Sequence, residues 1–340
     1  MINSIQLAPA FTGKNRYGVA FQKLDLKRQV QVVLDASGRA HLLTDKTVGG
    51  NTKKARAFIT YQTFEILRQS NFHLKNVLNF SQRHVHAVVQ AWLKEGLAAS
   101  TLQSRFSVLR WFTAAIGKAD MIKDPAEYGV PDERVARTYV AKVDKSWAAQ
   151  DVSVAGLVQQ ITEKDGWVGI RLELMDAFGL RIREATLLKP AAADGGSVLR
   201  VEDGTKGGRS RMVPIRTDAQ RDVLNRAKGV ARLTEKLNLI PSGRTLQQAL
   251  SRTYYICRLF GITKAQLELT PHGLRHAYAN DRYEEISGIP SAVRGSPETY
   301  DPEADRIARE TVSRELGHSR LAITAAYTGA RVIGRPKKTT

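Results

Sequence analysis

The chain has 340 residues, with 52 Lys+Arg against 33 Asp+Glu and a formal net charge of +19. Its hydrophobic content of 42% supplies material for folded cores, and at ~150 residues per domain the length suggests two domains. A single cysteine, Cys257, excludes an intrachain disulfide framework and a Cys-rich zinc site.

No run approaches the ~20 apolar residues needed to cross a bilayer, and no basic-then-apolar leader opens the sequence. The expectation is a cytoplasmic protein, not a membrane one, whose charge favours a polyanion. Residues 1–118 hold 17 Lys+Arg and 5 Asp+Glu, a disproportionate share of the excess. Within 1–50 the apolar periodicities are short and Lys14, Arg16, Lys23, Lys27 and Arg28 recur, so this part reads as a basic arm or small appendage. Gly49-Gly50-Asn51-Thr52 punctuates the chain.

The pattern over 51–118 is helical. Val85, Val88, Val89 and Trp92 form one apolar face, and Leu102, Phe106, Leu109 and Phe112 form another. Ser100 and Gln103 have the spacing of a capping box. Arg105 and Arg110 flank that second stripe, where they either face phosphates or lie on a solvated helix face. Asp124-Pro125 and Gly129-Val130-Pro131 break the period, so 119–150 reads as a linker. Beyond it, Ile170, Leu174 and Phe178 mark a helix ended by Gly179, and Ser197–Val201 and Arg211–Ile215 read as the strands of a hairpin. Helices follow at about 217–229, 245–260, 270–286 and 305–316. The fold class is mainly α with one small β-hairpin: a helical domain followed by a mixed α+β domain over 151–330, then a basic tail, 331–340.

Four segments carry residues suited to phosphate chemistry. In Gly179-Leu180-Arg181-Ile182-Arg183-Glu184, Arg181 follows a helix stop and Glu184 can orient it; alone, an ordinary structural ion pair explains both. In Thr205-Lys206-Gly207-Gly208-Arg209-Ser210-Arg211, a lysine on a flexible hairpin tip can donate a proton while Arg209 and Arg211 hold neighbouring phosphates; alone, this is a solvated basic turn. In Thr270-Pro271-His272-Gly273-Leu274-Arg275-His276, Thr270 as N-cap and Pro271 as first helical residue place His272 and Arg275 near a helix start. Zinc between His272 and His276 is disfavoured, because no glutamate of a metalloprotease motif and no thiolate accompanies them, and His276 reads as a hydrogen-bonded support. In Glu315-Leu316-Gly317-His318-Ser319-Arg320, His318 precedes Tyr327 by nine residues; either alone reads as packing material.

Taken together and in this order, Arg181, Lys206, His272, Arg275, His318 and Tyr327 resemble the catalytic set of the tyrosine recombinases, the phage-type integrases. The resemblance covers 150–330 strongly and the helical segment, as a core-binding domain, more weakly. It implies attack by Tyr327 on a DNA phosphate, giving a 3′-phosphotyrosyl enzyme and a free 5′-hydroxyl, with no cofactor and no metal. Arg181 and Arg275 would clamp the nonbridging oxygens, His272 position the phosphate or accept the tyrosine proton, Lys206 protonate the departing 5′-oxygen, and His318 bond a nonbridging oxygen. Glu184 and His276 would support them. The implied partners are double-stranded attachment sites, further copies of the chain up to a tetramer, and DNA-bending or directionality proteins, in the nucleoid of a bacterial host. The helical and catalytic domains would close on duplex DNA as a clamp.

The stretch between His276 and Leu316 is longer than is common in that family and contains Glu298, Asp301, Glu303 and Asp305, fitting a lid, a protomer contact or a surface loop. Three other functions are consistent with the basic composition: an accessory relative that binds without using Tyr327, a type IB topoisomerase, and a structural nucleoid protein.

Overall fold

The computed structural model describes residues 20–41, 47–136, 139–295, 301–318 and 320–331. The chain divides into two compact units, Met1–Arg137 and Thr138–Thr340, so the division falls inside the segment expected as a linker.

In the first unit, Asp25 caps α1 (Leu26–Ser37) by accepting the Arg28 N–H at 2.9 Å. Val30, Val33 and Leu34 turn one face of α1 into the core. Gln29, fully buried, donates to the carbonyls of Leu24 at 2.8 Å and Lys75 at 3.1 Å and accepts the Val77 N–H at 3.0 Å. At the other end, Arg56 reaches the carbonyls of Gly38 at 3.0 Å and Ala40 at 2.7 Å, meeting acceptors that follow the helix. Part of the segment read as an arm is therefore built into the first unit. Its basic residues Lys14 and Arg16 lie outside the described residues.

Helices α2 (Gly50–Gln69), α3 (Gln82–Lys94) and α4 (Ala99–Ala115) complete this core. Phe64, Phe80 and Phe112 meet with ring centroids 5.5–5.8 Å apart, and Trp92 meets Phe106 edge-on at 5.8 Å. The start of α4 differs from the expected capping box: Ala98 is the N-cap, and Gln103 instead donates to the carbonyl of Val135. That bond holds the short α5 (Asp132–Val135) against the unit.

The second unit is built around α7 (Gly166–Phe178), which packs against α6 (Val154–Lys164). Val168, Ile170, Leu172, Leu174, Met175 and Phe178 are all buried, the mark of a helix enclosed on most sides. Its Arg171 is also buried and donates to the carbonyls of Leu239 at 3.0 Å and 2.6 Å and of Ala249 at 3.1 Å. Next come α8 (Ile182–Leu187) and α9 (Pro190–Ala193). Strands β1 (Val198–Val201) and β2 (Arg211–Pro214) then pair antiparallel, with Val201 opposite Arg211. Helices α10 (Asp218–Ala231), α11 (Leu246–Leu259), α12 (Gly273–Ser287), α13 (Pro302–Glu315) and α14 (Ala325–Thr328) follow. This is a mostly helical fold with one small hairpin.

The acidic stretch has a local explanation. Asp301 caps α13 by accepting the Glu303 N–H at 2.9 Å, Glu303 sits in its first turn, and buried Asp305 accepts from the Tyr283 hydroxyl at 2.6 Å. Glu298 lies outside the described residues. No helix among the described residues is long and apolar enough to cross a membrane.

Candidate active site

Helix α7 stops at Gly179, whose φ of 59° is left-handed. A side chain there would also meet the Tyr278 ring at 2.6 Å, so this turn needs glycine on two counts. Two residues later Arg181 enters α8 as its N-cap residue. Glu184, fully buried, accepts the Arg181 N–H at 2.8 Å and its guanidinium at 2.6 Å. The same carboxylate takes a two-pronged bond from Arg211 at 3.0 Å and 2.7 Å and lies 3.8 Å from Arg275. Burial alone would raise the Glu184 pKa. The Arg211 bonds and charge, with those of Arg181 and Arg275, outweigh it and hold the carboxyl at about 2.

Arg211 therefore departs from its expected role. Its Nε also donates to the carbonyl of Glu315 at 2.7 Å, so its guanidinium is committed to protein acceptors rather than presented to a phosphate. Strand alternation explains this. Arg211 shares a face with buried Val213, whereas Met212 between them is exposed.

The third segment begins two residues later than expected: His272, not Thr270, is the residue before α12. The Thr270 carbonyl instead accepts the indole N–H of Trp147 at 2.8 Å. Arg275, in the first turn of α12, is fully buried. It donates to the carbonyl of Gly179, to that of Leu316 at 2.6 Å, and through Nε to the Tyr327 hydroxyl at 3.2 Å. His272 Nε2 stands 3.4 Å from the same hydroxyl, and His318 Nε2 stands 3.5 Å from Arg275. Tyr327, on α14, is buried among the rings of His272, His276 and His318 at centroid distances of 5.8, 4.7 and 5.6 Å.

The electrostatics suit an anion. Three guanidiniums surround one carboxylate, leaving a surplus of positive charge. Burial, with the nearby arginines, pushes His272 down to about 4 and His318 to about 3, so neither adds a proton of its own at neutral pH. Burial and then His272 do the same to His276, at about 3; its Nδ1 has no hydrogen-bond partner, and its ring supports Tyr327 by packing rather than by a bond. Arg275 is held down at about 10 by burial and stays charged. Because Arg275 can only donate to the Tyr327 oxygen, the phenol proton is free to point at His272 Nε2. This geometry can place a phenol oxygen against a bound anion and receive its proton.

Lys206 and Arg209 are exposed on the turn between β1 and β2, with no hydrogen bond or ion pair to this cluster among the described residues. In the first unit, Arg105 is buried against the Trp92 ring and pairs with Glu95 at 3.4 Å, since its spacing from Leu102 and Leu109 puts it on the core side of α4. Half-buried Arg110 donates to the carbonyl of Lys123 at 3.4 Å. Among the described residues, no group of three or more His, Cys, Asp or Glu is placed to hold a metal ion.

Comparisons with known proteins bear on the family and the fold. Residues 136–281 match the family described as "Integrase", and residues 35–122 match "Phage integrase, N-terminal". The chain is 25% identical over 320 residues to tyrosine recombinase XerC of Mesorhizobium japonicum, covering 90% of this chain and 92% of that protein. It resembles the solved structure of a lambda integrase(75-356) dimer bound to a COC′ core site, with a TM-score of 0.54 and 17% identity over 90% of this chain and 98% of that one. XerH site-specific recombinase bound to palindromic difH substrate has the same TM-score of 0.54 at 16% identity, covering 90% of this chain and 81% of the other. The chain is a member of the tyrosine recombinase (phage integrase) family.

Proposed function

We propose that the protein is a site-specific DNA recombinase that integrates or excises a mobile element, with Tyr327 as its nucleophile. The observation that carries this reading is the Tyr327 hydroxyl held between Arg275 Nε at 3.2 Å and His272 Nε2 at 3.4 Å. The phenol oxygen attacks the scissile phosphorus as His272 takes its proton. Arg181 and Arg275 neutralise the charge growing on the nonbridging oxygens, and His318 donates to one of them. The 5′-oxygen leaves with a proton from Lys206, which requires the hairpin tip to close on the site when DNA is bound. The covalent bond stores the phosphodiester until another strand's 5′-hydroxyl reverses the step. A phenol of ordinary pKa ~10 is a weak nucleophile at neutral pH, so a positioned base and cations are what the chemistry needs.

The DNA is a double-stranded attachment site, gripped mainly through phosphates, with Arg209 on the hairpin tip among the contacts. The chain acts as an oligomer on DNA, a tetramer during exchange, with bending or directionality proteins as further partners, in the cytoplasm. Its test uses DNA from both flanks of the protein's own gene in a strand-exchange assay. Recombinant junctions at one defined position are expected. Relaxation of supercoils without junctions would make the protein a topoisomerase, and binding without either would make it an accessory factor.

A further inference from the structure

The long segment between α12 and α13 touches the nucleophile's helix directly. The Val293 N–H donates to the carbonyl of Thr328 at 3.2 Å, one residue after Tyr327. From the opposite direction in sequence, the Ala141 N–H donates to the carbonyl of Ala325 at 2.8 Å. Helix α14 spans only Ala325–Thr328, too short to hold its own position, so these two backbone bonds supply what its length does not. Gly329, which ends it, lies at φ 75° and ψ −169°, a conformation open essentially to glycine alone. A Cβ there would meet Val293 at 3.0 Å, Ala292 at 3.1 Å and the Ala141 carbonyl at 3.3 Å, the same two segments.

One ion pair ties these segments together. Arg294, next to Val293, donates through Nε to Asp144 at 2.8 Å, three residues after Ala141. Its Nη1 donates to Asp281 on α12 at 2.5 Å. Asp144 also accepts from the Ser146 N–H at 2.9 Å, the Ser146 hydroxyl at 2.9 Å and Asn280 at 3.2 Å, so both of its oxygens are saturated. Asn280 and Asp281 belong to the same helix as Arg275. Segments 139–146 and 290–295 are thereby referenced to the element that carries the phosphate-binding arginine.

We infer that Arg294 and Asp144 are positioning residues for strand cleavage: their ion pair closes a cradle of 141–144 and 290–295 around α14, fixing the Tyr327 oxygen against the phosphate site. Neither side chain touches the reacting atoms. The inference rests on Tyr327 being the nucleophile. A displacement of about 1 Å in a reacting group costs ~10²-fold in rate, which sets the expected size of the effect.

The test separates cleavage, which needs Tyr327, from resealing, which does not. Cleavage is followed as single-turnover covalent adduct formation on a nicked suicide substrate. Resealing uses a strand ending in a 3′-(p-nitrophenyl) phosphate: an incoming 5′-hydroxyl attacks phosphorus and releases its proton to solvent, the P–O(aryl) bond breaks and p-nitrophenolate leaves with the electron pair. For Arg294→Met, adduct formation is expected to fall ~10²-fold while resealing and DNA affinity stay close to wild type. Arg294→Lys, which retains one charged donor, should recover part of the loss. Asp144→Asn serves as a second, shape-conserving variant. Equal losses in cleavage and resealing in both variants, or no loss in either, would overturn the cradle. An unaffected Arg294→Met that still labels at Tyr327 refutes the cradle alone. A wild-type adduct on another residue removes the nucleophile assignment and the cradle with it.

Discussion

Replacing Arg275 by alanine is expected to reduce strand cleavage by about 10³-fold or more, the scale on which a charge-neutralising arginine acts in phosphoryl transfer. The same change should also destabilise the second unit. Arg275 is fully buried and satisfies the carbonyls of Gly179 and Leu316 as well as the Tyr327 hydroxyl. Truncation leaves buried acceptors without donors, at ~1–3 kcal/mol each. Arg275→Lys separates the two effects. A lysine keeps the charge, but one ammonium cannot reproduce a planar fork aimed at partners in three directions. Cleavage should therefore remain strongly impaired in the lysine variant even if its thermal stability recovers. Single-turnover cleavage rates beside urea unfolding of both variants check this. An active Arg275→Lys enzyme would show that the guanidinium geometry is unimportant.

Glu184→Gln should be nearly as damaging, for the opposite reason. Among the described residues, the carboxylate is the one anion paired with Arg181, Arg211 and Arg275. Neutralising it leaves three guanidiniums facing one another, and breaking such a buried arrangement costs ~3–5 kcal/mol. The pH dependence follows from the same group. The folded pKa of about 2 lies below the ordinary carboxylate value of 4.5. The unfolded state therefore binds the proton more readily, and the contribution to stability is fully present above about 4.5 and lost as pH falls towards 2. Converted at 1.36 kcal/mol per unit, the loss is of order 3 kcal/mol. Wild-type unfolding free energy should drop over that window, and the Glu184→Gln profile should be flatter by about that amount. Superimposable slopes would mean that folding does not lower the Glu184 pKa.

The sequence was most informative where residue type and chemistry coincide. The segments bearing Arg181, His272, Arg275, His318 and Tyr327 are far apart in the chain, and the fold gathers these side chains around one hydroxyl and one carboxylate. Helices with a clean apolar stripe and a local cap were also legible: the range expected at 217–229 forms at Asp218–Ala231, with Thr217 accepting the Gln220 N–H at 3.2 Å. Burial of cations was harder to see. Arg211 and Arg105 look like surface charges by composition, yet their register with Val213 and with Leu102 and Leu109 points them inward. That signal was available in the periodicity, and residue type obscured it. Other features lay outside any local pattern. Arg294 and Asp144 are 150 residues apart, and nothing in their neighbourhoods marks them as partners. Gln29 hides in the same way: its three bonds go to backbone groups at positions 24, 75 and 77, which only the folded chain brings together. Lys206 is the reverse case, singled out by its motif yet placed on an exposed tip with no bond to the cluster among the described residues.

The most direct measurement is the identity of the residue that becomes attached to DNA. The protein is incubated with a nicked substrate carrying its attachment site, the denaturant-resistant adduct is digested, and the DNA-linked peptide is sequenced by mass spectrometry. The nucleotide should be found on Tyr327, and Tyr327→Phe should bind the same DNA while forming no adduct. An adduct on any other residue, or one that persists in Tyr327→Phe, would contradict the account.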